Sequence, residues 1–233
     1  MRDRSYTRDM ADCCGLDYDE HFNSDDARRD ILEYRANGAE GSTRRLLDVL
    51  IREGVENRTL LDIGGGVGVI QLELLKAGAA STLDVDASNP FIIVARTEAE
   101  ELGFRDRTEY RHGDFVALSP EIDSADIVTL DRVICCYPDV GNLVSRSAER
   151  ARQLYGLVYP VDRWWTRAMA RVMNLVTRVS RNTFRIHVHD AGLVDRLIRQ
   201  QGLEPRYHHA GIFWQTAVYA RVTGAGPAAR SAS

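Results

Sequence analysis

The chain has no long hydrophobic run, no excess of positive charge and few cysteines. Across its 233 residues every apolar stretch is broken by Asp, Arg or Gly, well short of the ~18–20 residues that span a bilayer. The opening segment, residues 1–22, lacks the apolar core of a secretory signal, so the cytoplasm is the expected location. Lys and Arg number 30 against 34 Asp and Glu, a net charge of −4. A nucleic-acid binder ordinarily carries a basic footprint, so no nucleic-acid partner is expected. The four cysteines form two adjacent pairs, Cys13-Cys14 and Cys135-Cys136. Neighbouring thiols bridge poorly, and this spacing matches no zinc pattern. Cys13, Cys14, Cys135, Cys136, His21, His187 and His189 could meet at one ion only if the N-terminus folded over the rest; no metal is expected.

What is present is an ordinary core-forming composition, 44% apolar and 27% charged. The length is ample for one α/β domain without disulfide or metal staples. Residues 1–11 and 224–233 are polar or small and are expected to be disordered. Between them, helical periodicity at 25–36, 42–54, 68–77, 89–102, 141–153, 162–181 and 189–202 alternates with apolar runs. Those runs, at 59–64, 81–88, 108–112, 125–131, 154–160, 204–210 and 213–221, predict seven strands. Strands alternating with helices predict a doubly wound, mostly parallel seven-stranded sheet, closed by an antiparallel strand pair. One domain is expected over residues 12–222. It comprises an N-terminal helical cap (12–40), a ligand-binding part (about 40–160) and a helical insert (161–185).

Leu60-Leu61-Asp62-Ile63-Gly64-Gly65-Gly66-Val67-Gly68 reads as a strand, a glycine turn and a helix start. Bare glycines let backbone N–H groups approach a ligand, and the helix N-terminus adds positive potential. The G-x-G-x-x-G dinucleotide fingerprint fails, because Val69 or Gln71 occupies its third glycine position. No G-x-x-x-x-G-K-[ST] phosphate loop exists either. The pattern present is D-x-G-x-G-x-G.

That pattern resembles the class I S-adenosylmethionine-dependent methyltransferases, whose fold is Rossmann-like. Further segments follow in the same order: Asp86-Ala87-Ser88 at the second strand's end, His112-Gly113-Asp114-Phe115 after the third, and Asp126 to Asp131 on the fourth. The resemblance implies S-adenosylmethionine as cofactor, contacted by Asp62, Gly64, Gly65, Gly66 and Gly68. Asp86, with Ala87 beside it, would hold the ribose diol, since a carboxylate is a bidentate acceptor. Asp114 would take the adenine amino group, Phe115 would pack on the ring, and Asp131 would lie beside the methionine part. Asp84 shares Asp86's strand face and competes with it for the ribose; the strand-end position favours Asp86. Gly65 could serve the turn alone.

Methyl transfer is largely a matter of positioning, and a hydroxyl or amine acceptor also needs a base. The candidates are His189, His187, Tyr137, Asp131 and Tyr18, with His189 favoured because imidazole titrates near neutrality. Acceptor-side contacts are expected from Tyr18, Arg132, Cys136 and Trp165. Arg132 could clamp a carboxylate or pair with Asp139. Residues 162–181 are read as a helix over the acceptor pocket, with Trp164 and Trp165 lining it. A basic helix resting on an anionic membrane and a dimer contact are the other readings. Arginines gathered around this lid predict a basic acceptor side suited to a carboxylate-bearing molecule.

A looser resemblance, to the magnesium-protoporphyrin O-methyltransferases, rests on four segments. They are Leu130-Asp131 through Tyr137-Pro138, the His before the last helix, Gly211-Ile-Phe-Trp-Gln215, and Tyr18-Asp-Glu-His21-Phe22-Asn23. That family carries His directly before Tyr-Pro; Cys136 stands there, at a spacing from Asp131 one residue longer. The expected activity is therefore methyl transfer to a small or medium organic acceptor, at oxygen. The alternatives are a magnesium-protoporphyrin IX O-methyltransferase and an inactive cofactor-binding regulatory protein.

Overall fold

The computed structural model describes residues 22–179 and 185–222. It contains one seven-stranded sheet in the order β3-β2-β1-β4-β5-β7-β6. The strands are β1 (Thr59–Ile63), β2 (Ser81–Asp86), β3 (Thr108–His112), β4 (Ala125–Asp131), β5 (Ala151–Pro160), β6 (Leu203–Ala210) and β7 (Trp214–Arg221). The first five are parallel, and β7 runs antiparallel to both β5 and β6. The expected doubly wound, mostly parallel seven-stranded sheet with its antiparallel closing pair is borne out. The helices are α1 (Ser24–Asn37), α2 (Gly41–Glu53), α3 (Val69–Lys76), α4 (Asn89–Glu101), α5 (Phe115–Leu118), α6 (Val140–Arg150), α7 (Trp164–Val179) and α8 (Ala191–Gln200).

Each sheet face is covered by helices whose apolar stripes match the strands. On one face, Leu46, Leu47 and Leu50 of α2 and Ile70 and Leu74 of α3 pack on Leu60, Ile127, Leu154 and Val158. On the other, Leu143 and Val144 of α6 and Val194 and Ile198 of α8 pack on Leu61, Val128, Tyr155 and Leu157. The alternation of Leu154 and Val158 with Tyr155 and Leu157 follows from the two-residue period of a strand. Gly156 lets α2 approach β5: a Cβ there would lie 2.8 Å from Leu46 Cδ1. Ala27, Ile31 and Tyr34 of α1 cap a smaller cluster with Val67, Leu72 and Phe91.

Of the element boundaries that depart from the periodic reading, two have a visible local cause. The helix expected to reach 153 stops at Arg150, because Ala151 already pairs with Ala125 and begins β5. The strand expected to reach 88 stops at Asp86, whose own Oδ1 accepts the Ser88 N–H and turns the chain. The order of strands reverses between β1 and β4, and an open parallel sheet binds ligands at the crevice beyond that point.

Candidate functional site

A cavity of about 700 Å³ opens at the C-terminal ends of β1, β2 and β4, a size within the range of small-molecule sites. The glycine turn forms one wall. Gly64, Gly66 and Gly68 have φ of 65°, 58° and 84°, a region that costs a side chain and suits glycine. Gly68 does not line the cavity; it caps the start of α3.

The turn is anchored from behind by β2. Gly65 N–H donates to Asp84 Oδ1 at 3.2 Å and Gly66 N–H to Asp86 Oδ2 at 3.0 Å. Asp62 lies beside Asp84 in register; its Oδ1 accepts from Thr129 Oγ1 at 2.6 Å and its Oδ2 from Gln71 Nε2 at 3.4 Å. Gly65 does more than turn the chain. A Cβ there would lie 2.4 Å from Gln71 Nε2 and 2.8 Å from both Asp62 Oδ2 and Asp84 Oδ1. Burial pushes the Asp62 carboxyl up to about 7. Burial, then the neighbouring charges of Asp86 and Asp62, pushes Asp84 well above the carboxylate range. Asp84 and Gln71 thus support the turn, a role the motif did not disclose. The two-residue period did place Asp84 and Asp86 on one face.

Asp86, Ala87, Asp114, Phe115 and Asp131 line the cavity together with Asp62, Gly64, Gly65 and Gly66. Asp114 caps α5 through Val116 N–H at 2.9 Å and accepts from Tyr137 Oη at 3.0 Å. At the mouth, Arg132 sits at φ 61°, an uncommon backbone state for a non-glycine residue. Its N–H donates to Val158 O at 2.8 Å, its Nε to Asp131 Oδ1 at 3.2 Å and its Nη2 to Thr43 Oγ1 at 2.8 Å. The guanidinium lies over Trp214, 5.8 Å from the ring centroid. Arg132 thus pairs with Asp131; Asp139 instead caps α6 at Asn142.

Several expectations about the acceptor side are corrected. His189 Nε2 lies 2.9 Å from Ile134 O and 3.0 Å from Tyr137 O, so its N–H braces the 132–139 loop and the ring does not line the cavity. His187 stacks on it at 5.6 Å and donates its backbone N–H to Cys135 O. Burial, then the His189 charge, lowers the His187 pKa. Neither imidazole lines the cavity. Trp165 does not line the cavity either: its Nε1–H goes to Ile212 O at 3.3 Å and its ring lies under Arg163. The tryptophan at the mouth is Trp214, which only the looser resemblance had touched. No described residue of 161–189 lines the cavity. Tyr137, Asp131, Arg132 and Cys136 do line it. Tyr18, His21, Cys13 and Cys14 lie outside the described residues.

Among the described residues the lining is acidic. Asp30, Glu33, Glu40, Asp62, Asp86, Asp114 and Asp131 line the cavity, and among the described lining residues Arg132 is the one cationic side chain. The α1 acids and Thr43 carried no motif; their place depends on α1, the 38–40 loop and the first turn of α2 crossing the strand tips. Among the described residues no group of three His, Cys, Asp or Glu could hold a metal ion.

Residues 61–154 match the family model described as a methyltransferase domain. The ribosomal protein L11 methyltransferase of Enterobacter sp. (strain 638) is 33% identical over 92 residues, which cover 39% of this chain and 30% of that protein. The chain thus spans less than a third of the length of the curated relatives it matches. Among solved structures, magnesium protoporphyrin IX methyltransferase from Synechocystis PCC 6803, with bound SAH, superposes with a TM-score of 0.65 at 17% identity, over 94% of this chain and 100% of that one. An O-methyltransferase family protein from Burkholderia thailandensis gives 0.62 at 18% identity, over 78% and 57%. At these identities the structural likeness is one of fold.

Proposed function

We propose, for a chain whose residues 61–154 match a methyltransferase-domain model and whose fold resembles that of solved methyltransferases, that the cavity binds S-adenosylmethionine along the glycine turn and methylates a small or medium organic acceptor. The observation that carries this is Asp86. Its carboxylate sits at the tip of β2, accepts from the Gly66 and Ser88 N–H groups and still borders the cavity. A carboxylate at the edge of the cavity is the acceptor that a vicinal diol calls for. The lining chemistry fits the cofactor, whose sulfonium and ammonium groups are cationic and whose adenine suits Phe115 and Asp114. When bound, the cofactor supplies a methyl group on an electrophilic sulfonium.

In this reading Asp62 and Asp84 hold the turn, and Asp131 borders the acceptor end. Asp131 replaces His189 as the proposed proton acceptor for a hydroxyl, because it lines the cavity and His189 does not. Arg132 and Trp214 form the acceptor-side rim. Asp30, Glu33, Glu40 and Asp131, the lining carboxylates not assigned to the turn or the cofactor, against one ion-paired guanidinium favour a neutral or cationic acceptor, methylated at oxygen, over a carboxylate-bearing one. A second reading, a magnesium protoporphyrin IX O-methyltransferase, is favoured by an alignment that covers 94% of this chain and all of that structure; the acidic lining opposes it, since that acceptor carries propionates.

The test is transfer of labelled methyl from S-adenosylmethionine to three acceptor sets: neutral alcohols and phenols, amino alcohols, and carboxylates including magnesium protoporphyrin IX. Transfer to the first two sets is expected. Transfer confined to carboxylates would overturn the acceptor assignment. Cofactor binding with no turnover on any set would instead support a regulatory protein.

A further inference from the structure

Helix α7 presents its apolar residues outward. Thr166 and Ala170 are buried against the body and Asn174 and Thr177 are half-buried. These polar and small residues dock the helix: Thr166 Oγ1 donates to Val161 O at 2.6 Å, and Asn174 exchanges two 2.8 Å bonds with the backbone of Ile186. A helix of a water-soluble body ordinarily turns its apolar stripe inward. Here Trp164, Val172, Leu175, Val176 and Val179 are 58–77% exposed. Ile212, 73% exposed, extends the patch, joined to α7 through the Trp165 Nε1–H to Ile212 O bond.

Charge follows the same segment. Residues 163–189 contain six arginines and no acidic residue; removing those six charges from a net of −4 leaves −10 on the rest of the chain. Arg163, Arg167, Arg171 and Arg178 are exposed, and Arg167, Arg171 and Arg178 follow one edge of the apolar arc at helical spacing. No helix among the described residues is long and apolar enough to cross a membrane. An apolar arc beside an arginine edge, with tryptophan at one end, is the pattern of a helix lying in the headgroup region.

We propose that α7 and the adjoining 212–213 loop form a docking face for an anionic lipid surface. A second copy of the chain fits this face less well. A self-complementary contact through α7 would set arginine edges together, and the nearest acid, Asp162, is already paired with Arg167 at 2.6 Å. Residues 1–21 are acidic on balance, but their large apolar residues (Met1, Tyr6, Met10, Leu16 and Tyr18) are scattered and form no matching stripe.

The test is flotation of the full chain with vesicles of phosphatidylcholine alone or mixed with phosphatidylglycerol, in low and high salt, beside sedimentation equilibrium without lipid. Binding to the anionic vesicles at low salt is expected, at least tenfold above neutral vesicles and weakened by salt. The Val172→Asp/Val176→Asp variant should lose that binding while its affinity for S-adenosylhomocysteine stays unchanged, which shows that it has folded. Absence of vesicle binding overturns the proposal, in favour of a second copy if the chain dimerises and of the 1–21 segment if it stays monomeric. Binding that survives the double variant also overturns it, by placing the lipid contact elsewhere.

Discussion

Helices α2 and α7 are both strongly amphipathic in sequence, yet they use their apolar sides in opposite ways. On α2, Leu46, Leu47 and Leu50 are fully buried against β5 and β7. On α7, Thr166 and Ala170 face the body and Val172, Leu175 and Val176 face out. Periodicity establishes that a helix has two sides; only the residues opposite it in the fold decide which side is inside. The same contrast separates the molecule's charges. The carboxylates gather at the strand tips, and the arginines of 163–179 lie on a helix that does not reach the cavity.

The sharpest way to break this comparison is to truncate one residue on each helix. Leu50→Ala should cost about 2–5 kcal/mol by urea denaturation, because it leaves a void between α2 and the sheet. If Leu50→Ala were near neutral, α2 would not be the packed partner described here. Next, Gly65→Ala should cost about 1–3 kcal/mol and weaken S-adenosylhomocysteine binding, since its Cβ would press on Gln71, Asp62 and Asp84. An undiminished midpoint and affinity would show that the space behind the turn can yield.

A third prediction concerns pH. Burial raises Asp62 from the ordinary 3.8 to about 7 in the folded chain, so the folded state holds its proton where the unfolded state has lost it. The stability linked to this proton is fully present below about pH 4 and is lost as pH rises through about 7. Asp62→Asn cannot ionise and escapes that loss. Its stability relative to the parent chain should therefore rise, by roughly 2–3 kcal/mol, between pH 5 and pH 8. A difference that does not vary with pH would mean Asp62 is ionised throughout. The smallest effect is expected on α7: Val176→Ala should change stability by less than about 0.5 kcal/mol. A loss comparable to that of Leu50→Ala would mean the outward face is covered in the free protein.

Much of the fold was legible because each parallel strand is a short apolar run punctuated by glycine or a carboxylate. The glycine turn and Asp86 were legible for the same reason: an uncommon local pattern imposed by backbone approach to a ligand. Three things were not. Asp84 and Gln71 act across strands, through register and burial that no single segment displays. His189 looked like a base from its pKa class, but its Nε2–H is spent on the carbonyls of Ile134 and Tyr137. The acidity of the mouth depends on where α1 crosses the strand tips, and α1 bears no motif.

The central claim, that the strand-tip cavity holds S-adenosylmethionine through Asp86, is tested most directly by calorimetry with S-adenosylhomocysteine, run beside NAD, on the parent chain and on Asp86→Ala. The parent should bind S-adenosylhomocysteine and not NAD. Asp86→Ala should bind about 100-fold more weakly while still unfolding cooperatively, because hydrogen bonds to an ionised group contribute about 1.5–3 kcal/mol each. Binding of NAD alone, or full affinity for S-adenosylhomocysteine in a folded Asp86→Ala protein, would contradict the claim.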